Sequence, residues 1–308
     1  MALRIGVDIG GTNLRVGVVD DLKVIYEDRC HANFADLCKK NPPDIAWKKI
    51  IAVTAEFLNN VLTHYPEAES IGIGFPGFIN PYNGYVAQSP NLPGLQDVNL
   101  AGDLSALIKR PVLVENDALA AAYGEYQLMR IPSSEGLIYI GLGTGVGGGL
   151  IQASKPFVGE NGFAMEVGHL ITNPNGRLCG CGNHGCLEQY ASATGISKTY
   201  ALLSGNYLST QQIAERASKG DANAMEAYEV AAKALAQSLA HILKVLDVKR
   251  VVIGGGVSQA WSLMDANFHQ QFNADLIPVL RGRVQIDISN SGDKAGVVGA
   301  ALLSAFKN

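Results

Sequence analysis

LRIGVDIGGTNLRVGVVD, residues 3–20, is the stretch of sequence that decides the fold. Apolar residues alternate with small or polar ones on both sides of a Gly-Gly-Thr turn at 10–12, which is typical of a β-hairpin. A second stretch, GLIYIGLGTGVGGGLIQ at 136–152, has the same strand–turn–strand pattern. Thr12 aligns with Thr144, so the two stretches lie 132 residues apart. The sequence therefore predicts a duplicated hairpin, with chance similarity of two glycine-rich turns as the alternative.

Each predicted hairpin is followed by alternating helix and strand patterns. The first is followed by a helix at 46–65 and by strands at 70–75 and 111–116. The second is followed by a long Ala-rich helix at 223–246 and a strand at 250–255. Mixed sheets covered by helices and duplicated once put a cleft between two lobes. We therefore expect an α/β fold with two lobes and a cleft between them.

The composition argues against several classes of protein. The 308 residues are 47% hydrophobic and 17% charged, with a net charge of −4, and the chain is long enough for a well-buried core. Lys and Arg are scattered, so we expect neither a nucleic acid nor an anionic membrane surface as partner. No apolar run reaches the roughly 18–20 residues that span a bilayer, and a strand pattern begins almost at once, so we expect neither a membrane span nor a signal peptide. Five cysteines do not form a disulfide framework, which predicts a cytoplasmic protein.

Glycine is concentrated in three loops, at 10–11, 143–149 and 254–256. Such loops let backbone N–H groups approach an anion without interference from a Cβ atom. One such loop is more often a simple tight turn, but three in one chain favour a polyphosphate ligand. GTGVGG at 143–148 also matches the G-x-G-x-x-G dinucleotide pattern. A strand pattern follows it where that motif requires a helix, which disfavours a nicotinamide oxidoreductase.

The stretch CGCGNHGC at 179–186 contains three of the five cysteines. Three thiolates and one histidine are a typical ligand set for structural zinc, and the histidine could be His184 or His169. A redox C-x-C pair and a disulfide are the alternatives, and a cytoplasmic location disfavours the disulfide. The predicted thiolate ligands are Cys179, Cys181 and Cys186.

Asp117 follows the predicted strand PVLVEN and begins a predicted helix. Functional carboxylates are common at this end of a strand in α/β proteins. Aspartate is also a good helix N-cap, so the residue pattern alone leaves both roles open for Asp117.

Five motifs taken together resemble the ROK family of sugar kinases and related transcriptional repressors. In chain order they are DIGGTNLRVGVVD, ENDALAAAYGE, LGTGVGGGLI, EVGH and CGCGNHGCLE, and the resemblance extends from about residue 4 to residue 304. It implies the duplicated actin-like ATPase fold, which is ribonuclease H-like, with two phosphate hairpins. Because ROK repressors carry an additional N-terminal helix-turn-helix and the first strand here begins at residue 3, we expect a kinase.

The resemblance also implies the lobes and the nucleotide site. The expected lobes are 1–117 with 294–308, and 118–293 with the zinc loop. Asp8 would hold Mg²⁺ beside the phosphates of ATP, or alternatively pair with a hairpin amide as a structural residue. Many family members have Lys where Asn13 stands, so a charge contact is expected to be absent there. The residues expected to contact ATP·Mg²⁺ are Asp8, Gly10, Gly11, Thr12, Asn13, Thr144, Gly145, Gly254, Gly255 and Gly256.

For the acceptor site, the resemblance implies that Asp117 is the catalytic base for the attacking hydroxyl, O6 by family habit. It also implies a structural zinc on His169, Cys179, Cys181 and Cys186, with the second ring nitrogen of His169 on the sugar. That zinc would fix Glu166 and Glu188 relative to each other. The residues expected to bind the sugar are Gly77, Asn91, Asn116, Asp117, Glu166, His169 and Glu188.

The implied activity is ATP-dependent phosphorylation of a hexose. Glucose is favoured because the E-x-G-H motif is intact and the segment NLPG resembles ROK glucokinases. The alternatives are an N-acetylglucosamine or N-acetylmannosamine kinase, then a fructose, allose or β-glucoside kinase. Polyphosphate stays open as a donor. A non-catalytic sugar sensor is disfavoured because Asp117 is present and no DNA-binding segment or partner surface is recognisable. A homodimer or homotetramer is expected from the family.

Overall fold

A computed structural model describes residues 2–10, 13–80, 83–89 and 92–306. Three predicted site residues, Gly11, Thr12 and Asn91, lie outside the described residues. The chain forms two compact units, and each contains strands of a five-stranded sheet. The first unit comprises Met1–Ser134, Gly149–Ala164 and Asp293–Asn308, and the second comprises Glu135–Gly148 and Met165–Gly292. The lobe boundaries expected from the sequence stay predictions.

Strands and helices alternate along most of the chain. The strands are β1 (Arg4–Ile9), β2 (Asn13–Asp20), β3 (Lys23–His31), β4 (Ser70–Phe75), β5 (Phe78–Ile79), β6 (Val86–Gln88), β7 (Gln96–Val98), β8 (Val112–Asn116), β9 (Leu137–Leu142), β10 (Val146–Gln152), β11 (Lys155–Pro156), β12 (Arg250–Gly254) and β13 (Gln285–Ile288). The helices are α1 (Phe34–Lys40), α2 (Pro43–His64), α3 (Leu100–Ile108), α4 (Asp117–Leu128), α5 (Glu188–Ala191), α6 (Ala193–Ser204), α7 (Thr210–Ala217), α8 (Ala222–Leu246), α9 (Asp265–Asp275) and α10 (Lys294–Leu303). Short 3₁₀ segments lie at Val167–His169, Gly256–Leu263 and Pro278–Leu280.

The two larger sheets have the same topology. The first has the order β3-β2-β1-β4-β8, in which β1–β2 and β2–β3 are antiparallel and β4 and β8 run parallel to β1. The second has the order β11-β10-β9-β12-β13, in which β10–β11 is antiparallel and β12 and β13 run parallel to β9. In each sheet the first three strands of the chain segment lie in reverse order, and the fourth and fifth strands follow on the other side of the first. This shared order confirms the duplication predicted from the two hairpins.

The main core of the first unit lies on one face of β1 and β4, and α10 packs on the other face. Ile5, Val7, Ile71 and Ile73 are at most 1% exposed, and each such burial stabilises the fold by about 1.5–3 kcal/mol. Helix α10 packs on these strands at backbone distance, because a Cβ atom at Gly72 would collide with the carbonyl oxygen of an α10 residue. The last helix of the chain is thereby held against the first strand.

Most predicted elements are confirmed, with small shifts at their ends. The predicted helix at 46–65 begins three residues earlier, because Pro43 is well suited to the first turn of α2. The predicted last helix, 294–306, ends at Leu303. A three-stranded sheet of order β5-β6-β7 was not predicted, since its strands have only two or three residues. None of the helices described is both long and apolar enough to span a membrane.

Candidate active site

Asp117 is the first residue of α4, directly after the end of β8. The helix is capped by Asn116, whose Oδ1 accepts the Leu119 N–H at 3.0 Å. The interpretation of Asp117 as the N-cap is therefore wrong. Asp117 Oδ1 accepts the N–H of Ala118 at 2.8 Å. Burial raises the pKa of the Asp117 carboxyl, an effect that the backbone N–H groups partly offset.

The amide nitrogen of the Asn116 side chain binds the loop that follows β4. Asn116 Nδ2 donates to the carbonyl oxygen of Gly77 at 3.1 Å. A Cβ atom at Gly77 would lie 2.6 Å from the carbonyl oxygen of Gln88, so only glycine fits between these two backbone segments. Asn116 thus connects the Gly77 loop to the start of α4, beside Asp117. The predicted sugar contacts of Gly77 and Asn116 stay predictions.

Asp8 lies near a cluster of charged side chains in the first unit. Its cross-strand partner is Arg15, whose Nη1 lies 3.8 Å from Asp8 Oδ2 and 2.6 Å from Asp293 Oδ1. Burial raises the pKa of Asp8 to about 7; the negative charge of Asp117 adds to the shift, Arg15 opposes it, and Asp293 adds a smaller amount. Carboxylate oxygens are the donor type that Mg²⁺ prefers, so the Asp8 carboxylate fits that ion.

Sequence reasoning did not find Arg15 or Asp293. Asp8 and Arg15 pair across strands β1 and β2, so the predicted hairpin register could have identified the arginine. Asp293 lies in a distant part of the chain, and no pattern near the hairpin indicates it.

The neutral residue Asn13 is paired with a histidine. Gly10 N–H donates to the Asn13 carbonyl oxygen at 2.8 Å and closes the described part of the first hairpin. Asn13 Oδ1 lies 3.2 Å from His31 Nδ1, at the end of the neighbouring strand β3. The position where many family members have Lys therefore has an imidazole beside it.

The second hairpin, residues 143–146, is held by the segment 188–194. Gly143 N–H donates to the carbonyl oxygen of Gly145 at 3.0 Å within the turn. Glu188 Oε2 accepts the Val146 N–H at 3.1 Å. Two further bonds come from the start of α6: Ala193 N–H donates to Gly143 O at 2.8 Å, and Thr194 Oγ1 donates to Thr144 O at 3.0 Å.

The predicted zinc ligands lie together in the second unit. The ligand atoms of His169, Cys179, Cys181 and Cys186 are all within 4.8 Å of one another. Cys179 Sγ is 3.7 Å from His169 Nδ1, and Cys181 Sγ is 3.6 Å from Cys186 Sγ. A tetrahedral site with zinc–sulfur bonds of about 2.3 Å has edges of about 3.7 Å, so the set fits zinc. His184 is not part of this group.

Backbone pairing brings His169 to the cysteine loop. Ile171 pairs with Cys186, and Leu187 N–H donates to Leu170 O at 2.8 Å. None of the five cysteines forms a disulfide. Burial and the neighbouring cysteine sulfurs raise the pKa of Cys186 to about 12, and a bound cation would offset this effect by stabilising the thiolate.

Glu166 and Glu188 lie at the two ends of this cluster. Glu166 Oε2 is 3.9 Å from His169 Nε2, the ring nitrogen that points away from the cysteines. Glu188 begins α5 two residues after Cys186. Both carboxylates are thus attached to the predicted zinc site through short stretches of chain.

Arg177 fastens the cysteine loop to α5 and α6, and sequence reasoning missed it. Its Nη1 donates to the carbonyl oxygens of Gln189 at 2.6 Å and Gly195 at 3.1 Å. Its Nη2 donates to Thr199 Oγ1 at 2.9 Å, and the guanidinium lies 4.7 Å from the centre of the Tyr190 ring. A lone arginine outside any motif gives no signal for this role.

The third glycine loop follows β12. A Cβ atom at Gly254 would lie 2.5 Å from Tyr139 Oη, and Gly255 has a φ of 84°, which favours glycine. Gly256 begins a 3₁₀ segment. The predicted adenosine contacts of these glycines stay predictions.

Comparison with known proteins gives concordant results. The family model described as ROK family matches residues 4–306. The chain is 31% identical to the glucokinase of Thermotoga maritima, covering 96% of this chain and 95% of that protein. It is 32% identical to the N-acetyl-D-glucosamine kinase of Pasteurella multocida, covering 99% of this chain and 100% of that protein. A ROK family glucokinase from Streptomyces griseus, solved with glucose and AMPPNP, is 31% identical and superimposes with a TM-score of 0.84 over 98% of this chain and 99% of that chain.

Proposed function

Because this chain belongs to the ROK family, we propose that it is an ATP-dependent sugar kinase that phosphorylates a hydroxyl of a hexose, with glucose as the favoured acceptor. The observation that supports this best is the partly buried Asp117 carboxyl at the start of α4, which is close enough to the Asp8 carboxyl for their charges to interact. The predicted family and actin-like fold class are confirmed, and the predicted kinase activity agrees with the relatives' names. N-acetylglucosamine is the second candidate, since one relative at 32% identity is an N-acetyl-D-glucosamine kinase.

In the proposed reaction Asp117 takes the proton of the attacking hydroxyl. The hydroxyl oxygen forms a bond to the γ-phosphorus of ATP while the bond from that phosphorus to the bridging oxygen breaks, and ADP leaves. Burial raises the pKa of Asp117, which makes its carboxylate a stronger base. Asp8 would hold Mg²⁺, which would neutralise negative charge on the phosphates. O6 is the proposed acceptor atom by resemblance.

The remaining roles follow the same proposal. Glu166, His169 and Glu188 hold sugar hydroxyls, and His169 Nδ1 and the three thiolates hold a structural zinc. That zinc is not catalytic, because four protein ligands leave no open position. A homodimer or homotetramer and a cytoplasmic location also belong to the proposal, and light scattering on the purified protein would measure the assembly.

A panel of sugars tests the proposed activity. We expect ADP release with ATP, Mg²⁺ and glucose, and a lower kcat/KM with N-acetylglucosamine, N-acetylmannosamine, fructose and allose. Replacing ATP with polyphosphate in the same assay tests the donor. If none of these acceptors increases ADP release above the rate without sugar, the proposal is wrong.

The role of Asp117 is tested by Asp117→Asn, which keeps the shape of the side chain. We expect turnover to fall by about 10²- to 10⁴-fold, because general-base catalysis is lost. Glucose affinity, measured by calorimetry, should change by less than about fivefold, since the amide can still accept a hydrogen bond. A variant that keeps more than about a tenth of wild-type turnover would exclude Asp117 as the base.

A further inference from the structure

The Glu188 carboxylate packs against the hairpin at 143–146, directly beside the backbone of Gly145. The Val146 N–H binds Glu188 Oε2 at 3.1 Å. A Cβ atom at Gly145 would collide with this same oxygen, whereas a Cβ atom at Gly143 would meet nothing within 4 Å. The two glycines of this turn therefore have different surroundings. Gly145 leaves room for a carboxylate of the same unit, and Gly143 borders open space.

The segment that carries Glu188 is fixed at both of its ends. Leu187 N–H donates to Leu170 O at 2.8 Å, directly beside the predicted zinc ligand Cys186. At the other end, Ala193 N–H and Thr194 Oγ1 bind the carbonyl oxygens of Gly143 and Thr144. With the backbone held in this way, the direction of the Glu188 carboxylate depends on the hairpin that contacts it.

We propose that Gly145 and the Val146 N–H position the Glu188 carboxylate for the sugar, so that the glycine at 145 serves the acceptor rather than the phosphates. This inference rests on the proposed function. A carboxylate with Oε2 fixed by a backbone N–H presents Oε1 to a sugar hydroxyl in one direction, which favours one arrangement of hydroxyls over its epimers. Gly145 and Val146 are positioning residues, because they act through Glu188.

The two glycines provide a matched pair of variants, Gly145→Ala and Gly143→Ala. Glucose and AMPPNP binding are measured separately by calorimetry on the full-length, zinc-loaded protein. Gly145→Ala should weaken glucose binding by about tenfold or more and change AMPPNP binding by less than about threefold. Gly143→Ala should leave glucose binding within about threefold of wild type. Gly145→Ala that weakens AMPPNP binding and spares glucose would overturn the proposal.

A double-mutant cycle tests whether Gly145 acts through Glu188. In a Glu188→Ala background, Gly145→Ala should cause less than about a twofold further loss of kcat/KM for glucose, because the colliding carboxylate is gone. An equal loss in both backgrounds would contradict the proposal.

Zinc content and Tm show whether each variant folds. If Gly145→Ala does not fold, Glu188→Gln replaces it. The side-chain amide oxygen of this variant can still accept the Val146 N–H, so the contact with the hairpin is kept while the carboxylate charge is lost. Glucose binding should therefore fall by about tenfold or more, and AMPPNP binding should not change. An equal loss of AMPPNP binding would contradict the proposal. Failure of the proposed function looks different, because wild-type protein would then bind no sugar and phosphorylate none.

Discussion

At the scale of single residues, the Asp8 carboxyl combines burial with nearby negative charge. Its folded pKa of about 7 lies above the ordinary value of 3.8. The folded chain therefore binds more protons than the unfolded chain between about pH 4 and pH 7, and this group lowers stability as the pH rises through that range. A shift of this size corresponds to about 4 kcal/mol at most, and to less here because the side chain is 30% exposed.

Asp8→Asn should therefore raise Tm in the absence of nucleotide and Mg²⁺ at pH 8. The gain should disappear at pH 5, where wild-type Asp8 is protonated and resembles the amide. Turnover should fall at both pH values, because the amide is a poor ligand for Mg²⁺. Calorimetry at pH 5 and pH 8 measures the difference. A variant that is less stable than wild type at pH 8 would contradict the raised pKa.

At the scale of the helix, α8 has an aspartate at each end, and the two have opposite effects. Asp221 caps the N-terminus, and its side chain accepts the Ala224 N–H at 3.1 Å. Asp247 ends the helix in the left-handed region, with a φ of 48°, and its negative charge lies at the negative end of the helix dipole. The first aspartate stabilises the helix and the second destabilises it.

Asp247→Gly should stabilise the protein by about 1 kcal/mol, because it removes both the backbone strain and the unfavourable charge. Asp247→Asn removes only the charge and should give about half of that gain. Asp221→Ala, the control at the other end, should cost about 1 kcal/mol. Urea unfolding of the three variants measures these differences. A loss of stability on Asp247→Gly would show that this side chain makes a contact that outweighs the strain.

At the scale of the whole molecule, the cysteine loop connects several functional segments of the second unit. Cys186 lies beside Leu187 and Glu188, and the chain continues into the residues that hold the hairpin at 143–146. Glu166 Oε2 lies 3.9 Å from His169 Nε2, so this carboxylate also lies next to the cluster. Loss of a metal from these four predicted ligands would therefore disturb both predicted sugar contacts and the predicted phosphate hairpin at 143–146.

We expect about one equivalent of zinc per chain, and we expect its removal by a chelator to lower Tm and to raise KM for both ATP and sugar. Cys181→Ser should lose the zinc, and it replaces an exposed side chain, so no buried cavity results. Cys30→Ser, outside the cluster, should keep it. Metal analysis with and without chelator checks the content. Unchanged Tm in protein shown to be metal-free would contradict a structural role.

The amino-acid sequence by itself determined the two hairpins, their duplication and most helices and strands. These elements depend on apolar alternation, glycine turns and helix caps. Each of those signals involves only a few neighbouring residues, so it can be recognised without knowing the rest of the structure. The four residues 169, 179, 181 and 186 were likewise predicted as zinc ligands, although the residue pattern alone left His169 and His184 as alternatives. The cap role of Asn116 was missed, because Asp117 beside it is an equally good cap by residue type.

Only the tertiary structure decided which distant groups meet. Arg15 lies between Asp8 and Asp293, the Val146 N–H binds Glu188, and Ile171 pairs with Cys186 so that His169 joins the thiolates. These contacts depend on how helices pack on sheets and how loops fold back on them. Packing of that kind depends on many side chains from remote parts of the chain acting together, whereas hairpins and helices follow from the preferences of a few neighbouring residues.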